Sequence, residues 1–121
     1  MNNNIVDEIL ALKKTKNPLW LRYNIKYGES LADHMFGVLH LASTFDIQIE
    51  HQNIIHIITK EKSQQDTSDI VFQLHALETV LQAIAYEEQY DLDLSDVIYE
   101  YETYIQDNRL LPFCSEQIMK R

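Results

Sequence analysis

Ile70-Val-Phe-Gln-Leu-His-Ala-Leu-Glu-Thr-Val-Leu-Gln-Ala-Ile84 is the stretch that decides the fold class. Ile70, Leu74, Leu77, Leu81 and Ile84 recur at steps of three and four, which draws a narrow apolar stripe along a helix. Asp66, Thr67 and Ser68 offer N-caps in front of it. Upstream, Ile54, Ile55, Ile57 and Ile58 form a β-branched cluster that reads as strand or helix. Nothing else in the chain reads as a strand to pair with it, so helix is preferred. Downstream, a further helix is expected from about Ser95 through Val97, Ile98, Tyr101, Tyr104 and Ile105. Pro112 then opens a short C-terminal helix as a first-turn proline.

Toward the N-terminus, Ser30 with Asp33 forms a capping-box pattern. Leu31, Met35, Val38, Leu39, Ala42 and Phe45 follow it at helical spacing. Before that, Ile5, Ile9, Leu10 and Leu12 predict a first helix, with Asn4 as its N-cap, Asp7 three residues on, and Pro18 ending the stretch. The only glycines and prolines are Gly28, Gly37, Pro18 and Pro112. That is too few turn-formers for an all-β fold, and it excludes a glycine-rich phosphate loop. No repeat, low-complexity segment or linker divides the chain. The expectation is one all-α domain over residues 1–121, a compact bundle of five or six helices.

Ten bases against nineteen acids give a net charge of −9, which argues against direct nucleic-acid binding and against an anionic membrane. The one cysteine, Cys114, cannot form an internal disulfide. The N-terminus lacks the basic and apolar regions of a secretory signal, and no apolar run approaches the ~18 residues of a membrane span. A cytoplasmic protein is expected. Charge is uneven along the chain. No acid lies between Leu10 and Gly28, where Lys13, Lys14, Lys16, Arg22 and Lys26 supply half of the bases. From Glu87 to Asp107 there are eight acids and no base, and Tyr86, Tyr90, Tyr99, Tyr101 and Tyr104 accompany them. This segment, 86–107, reads either as a solvated face or as a tyrosine-rich surface for a protein partner. It also admits an acidic, nucleic-acid-mimicking inhibitor.

None of the five histidines, His34, His40, His51, His56 and His75, sits in a tight metal motif. A histidine site would have to be assembled from separate helices.

Glu29-Ser-Leu-Ala-Asp-His-Met-Phe-Gly-Val-Leu-His-Leu-Ala42 resembles the second helix of the HD-domain phosphohydrolases, in the nucleotidase-like branch. That branch reads Glu-Ser-Val-(Ala/Ser)-(Glu/Asp)-His-(Ser/Met)-(Tyr/Phe) there. The approach through Trp20 and Asn24-Ile25 is similar too. Val71-Phe-Gln-Leu-His-Ala-Leu-Glu-Thr-Val-Leu-Gln-Ala-Ile-Ala-Tyr-Glu87 is similar to the family's last core helix, Val-x-Gln-Leu-Asp-x-x-Glu-x-x-Leu-Gln-Ala-x-x-Tyr-Glu. The two matches span most of residues 16–90. The resemblance implies an HD-like bundle, and it places the family's first metal-ligating histidine on His34.

The departures decide the function expected. With Ile57-Ile58 on the family's apolar pair, Thr59 and Lys60 stand where its His-Asp pair belongs. The acid after that pair falls near Ser63, and Asp69-Ile70 resembles the family's Gly-Asp-Ile. The last ligating aspartate falls on His75. The family's phosphate-contacting arginines fall near Asn17 and Tyr23, with Arg22 one place out of register. Helices that normally follow the Gly-Asp-Ile are missing. One of the four core ligands survives as its own type.

Lysine for aspartate beside a divalent ion swings the local charge by two units, on the order of 10 kcal/mol before relaxation. No cofactor is therefore expected, and the leading expectation is a non-hydrolytic, HD-derived binding or regulatory protein. It would act through its surface, or through a phosphate or nucleotide pocket of Arg22, His34, Thr59, Lys60 and His75. The alternative is a residual metal-dependent phosphohydrolase of nucleotidase type, holding Mn, Co, Zn or Mg on a rebuilt set of His34, His75, His56 and Asp69. The resemblance also implies a homodimer.

Overall fold

The computed structural model describes residues 3–59 and 65–121. Among the described residues there are seven helices and no strand. They are α1 (Asn3–Lys14), α2 (Pro18–Leu21), α3 (Leu31–Thr44), α4 (His51–Thr59), α5 (Ile70–Tyr90), α6 (Ser95–Glu102) and α7 (Leu110–Met119). The fold is all-α, as expected, with more helices than the five or six counted from the sequence. The extra one is α2. Pro18 does not end the first helix, which stops at Lys14. It opens α2, whose N-cap Asn17 accepts from Leu19 N at 3.2 Å.

The chain divides into two compact units, residues 1–37 and 38–121. In the first, α1 begins at Asn3, so Asn4 lies inside its first turn and not at its N-cap. Thr15 to Asn17 run beside Glu29 to Leu31. Asn17 N donates to Glu29 O and Leu31 N donates to Thr15 O, both at 2.9 Å. α3 then starts on the capping box read from the sequence. Ser30 N donates to Asp33 Oδ2 at 2.9 Å, and Asp33 N donates to Ser30 Oγ at 3.1 Å.

In the second unit α5 is the central element and packs against α4, α6 and α7. The sequence suggested one narrow apolar stripe. The structure buries Val71, Phe72, Gln73, Leu74, Ala76, Leu77, Glu78, Thr79 and Val80, leaving little of that stretch outside the core. A helix flanked on several sides needs small and polar residues where neighbours approach, and these broke the stripe pattern. The N-cap of α5 is Asp69, accepting from Val71 N at 2.8 Å. Asp66 instead holds its own turn, accepting from Ser68 N and Ser68 Oγ. The isoleucine cluster is helical and buries Ile54 and Ile57. Ile105 lies beyond the end of α6 but is buried, and Phe45 packs edge-on against Phe113 of α7 at 5.4 Å.

Three helices end in the same way. Asn24, Asp46 and Asp91 have φ of 63°, 56° and 54°. Each precedes an aliphatic residue whose amide reaches back into the last turn: Ile25 N to Trp20 O at 3.2 Å, Ile47 N to Ala42 O at 2.8 Å, Leu92 N to Glu87 O at 3.2 Å. These are Schellman closures with Asn or Asp at the left-handed position that glycine usually takes. The signature is aromatic, then Asn or Asp, then aliphatic: Tyr23-Asn24-Ile25, Phe45-Asp46-Ile47 and Tyr90-Asp91-Leu92.

Candidate functional site

In the first unit, a polar node forms around Glu29. Its Oε1 accepts from Trp20 Nε1 at 3.0 Å and from Asn17 Nδ2 at 3.1 Å, and it meets His34 Nδ1 at 3.3 Å. Trp20, Glu29 and His34 are all buried. The local sequence places each partner. Asn17 starts α2, Trp20 sits within it, Glu29 precedes the capping box and His34 lies one turn into α3. A buried carboxylate is costly unless donors surround it, and here three converge on one oxygen. Glu29 can only accept when ionised, so this arrangement puts a proton on His34 Nδ1. In the neutral ring the lone pair is then on Nε2. A carboxylate holding the far nitrogen of an imidazole is how metal-bound histidines are commonly oriented, and equally how a core histidine is satisfied. Arg22, in the same unit, is exposed.

The other candidate residues belong to the stretch of the second unit. Thr59 is exposed at the end of α4, and its hydroxyl donates to Ile55 O at 2.7 Å. Lys60 and Ser63 lie outside the described residues. His56 is exposed. Asp69 is exposed and caps α5. His75 is half-buried among aromatic rings, with Phe72 at 5.5 Å and Tyr101 at 6.0 Å between centroids. Tyr104 extends the group, at 5.2 Å from Phe72 and 5.8 Å from Tyr101. Glu78 is buried.

The base-free segment 86–107 gains bases from beyond its ends. Arg121 makes a two-pronged pair with Glu87 (2.8 and 3.0 Å), donates to Ser95 Oγ at 2.6 Å, and stands 5.7 Å from the Tyr99 ring centre. Arg109 pairs with Asp107 through Nε at 3.0 Å and Nη2 at 2.9 Å. The Arg121 hydrogen bond holds the Glu87 carboxyl below its usual range. The Arg109 hydrogen bond brings Asp107 down to about 2. Burial pushes the Cys114 thiol up to about 11, which makes it a packing residue rather than a nucleophile. Gln73 ties the segment to α5. Its Oε1 accepts from Gln106 N and Asp107 N at 2.8 and 2.7 Å.

Two features escaped the sequence reading. Ile5, Val6, Ile9 and Leu10 of α1 are exposed, at 57, 42, 47 and 44 %. In the second unit, a groove of about 810 Å³ runs between the end of α3 and the start of α4. Leu39, Ala42, Ile47 and Ile49 line it beside the polar Ser43, Gln48 and Asn53, and its charged residues are the acids Asp46 and Glu50. Its lining comes from α3, α4 and the loop between them, so no contiguous motif announces it.

No family model, curated protein or solved structure matches this chain.

Proposed function

We propose that this chain is a non-hydrolytic binding protein of HD-like descent that acts through its surface. The observation that carries the reading is the apolar face of α1, left in water by four aliphatic side chains within six residues. The fate of the expected ligand positions supports it. The HD resemblance implies a divalent metal, and the residues at those positions in the second unit do not fit one. Thr59 offers a neutral hydroxyl spent on its own helix, Asp69 is spent as a cap, and His75 is packed among rings.

The alternative, a residual metal-dependent phosphohydrolase, draws on the buried Glu29–His34 pair. One assay separates the two. Nucleoside monophosphates are incubated with the protein and Mn²⁺ or Co²⁺, and phosphate release is followed. The proposal expects release no faster than buffer with metal. Release by the native chain that disappears in His34→Gln would overturn it. A thermal shift with nucleotide in the absence of turnover would move the binding site from the surface to a phosphate pocket.

A further inference from the structure

We propose that α1 of one copy docks in the α3–α4 groove of a second copy, and that the exchange is reciprocal. This rests on the surface-binding reading above and names the partner. A helix of 12 residues is marginal in water unless its apolar face is covered. Within the first unit the α1 face is exposed, and within the second so is the Leu39 wall of the groove, at 37 % exposure. The two features suit each other as a helix suits a groove, with anchors at Ile5, Ile9 and the flanking Val6 and Leu10. The groove volume, about 810 Å³, falls in the range that takes several side chains at once.

Charge selects the occupant. Lys13 lies four residues after Ile9 and three after Leu10, on the same helical face as the anchors, whereas Asp7 and Glu8 point to the other side. A face that is aliphatic and then cationic meets a groove of mixed aliphatic and polar lining whose charged residues are the acids Asp46 and Glu50. Arg109 is the base close enough to feel Asp46, and its guanidinium is already held by Asp107. One chain carries both halves of the pair. Each copy can therefore offer its α1 to the groove of the other.

The test is the solution mass of the full chain by sedimentation across a concentration series. The expected result is a dimer of the 14.3 kDa chain that dissociates on dilution. Ile9→Glu should weaken it by about 30-fold or more, with the unfolding midpoint of the monomer unchanged. Lys13→Glu should weaken it roughly tenfold. Glu50→Lys should do the same, and combining it with Lys13→Glu should restore much of the loss. A monomer at every concentration would overturn the proposal. So would a dimer indifferent to Ile9→Glu, or charge reversals that fail to rescue each other. The phosphate-release assay stands apart. A monomer that hydrolyses nothing sinks the pairing alone, whereas a hydrolysing dimer sinks the non-hydrolytic reading alone.

Discussion

α1 and α5 are both helices written in the sequence by aliphatic residues at steps of three and four, yet they end in opposite environments. α5 buries eleven of its residues and organises α4, α6 and α7 around itself. Among the described side chains of α1, Leu12 alone is even half-covered. Periodicity specifies a helix and the side it hides. It does not say whether the same chain does the hiding. In α5 the cover is intramolecular, and for α1 a second molecule is proposed to supply it.

The comparison breaks most sharply on truncation. Leu77→Ala removes a fully buried side chain from the centre of α5 and should cost about 2–5 kcal/mol in urea unfolding. Ile9→Ala in α1 should cost under about 0.5 kcal/mol in dilute solution. Equal losses would mean that α1 is covered within its own chain. Next in size is Gln73→Leu on α5. It strands the amides of Gln106 and Asp107, and a loss of about 1–3 kcal/mol is expected in the same unfolding experiment.

What could be read from the sequence followed the range of the interaction. The capping box of Ser30 and Asp33 was legible because both partners lie three residues apart. The helical state of residues 54–58 was legible because no strand existed to pair with. The helix ends were not legible by their usual sign. Both glycines lie elsewhere, and the left-handed positions fell to Asn24, Asp46 and Asp91. His34 stood out through a motif, but its anchor did not. Glu29 is held by Asn17 and Trp20, twelve and nine residues away, brought close by the turn between α2 and α3. Thr59 and Asp69 have the atoms of ligand chemistry, whereas their groups serve as helix-end hydrogen bonds. A sequence does not distinguish those uses when both need the same atoms.

Smaller effects sharpen the picture of α5. Asp91→Gly relieves a left-handed residue at its C-terminus and should raise stability by up to about 1 kcal/mol, seen as a higher thermal midpoint. A lower midpoint would mean that the Asp91 side chain has a role of its own. At the far end of Gln73's contacts, Asp107 has its carboxyl held down to about 2 in the fold, against 3.8 otherwise. Its pairing with Arg109 thus stabilises the fold above about pH 4, and that contribution fades as pH falls toward 2. Because the Arg109 end of the pair is half exposed to solvent the effect is small. Asp107→Asn should flatten the acid limb of the stability curve slightly and leave neutral pH almost unchanged.

Hydrogen exchange on α1 and α5 in the same sample, at low and at high protein concentration, tests the central contrast most directly. The α5 amides should be protected at both concentrations and the α1 amides only at the higher one. Protection of α1 that is already complete on dilution, or that never appears at high concentration, would contradict it.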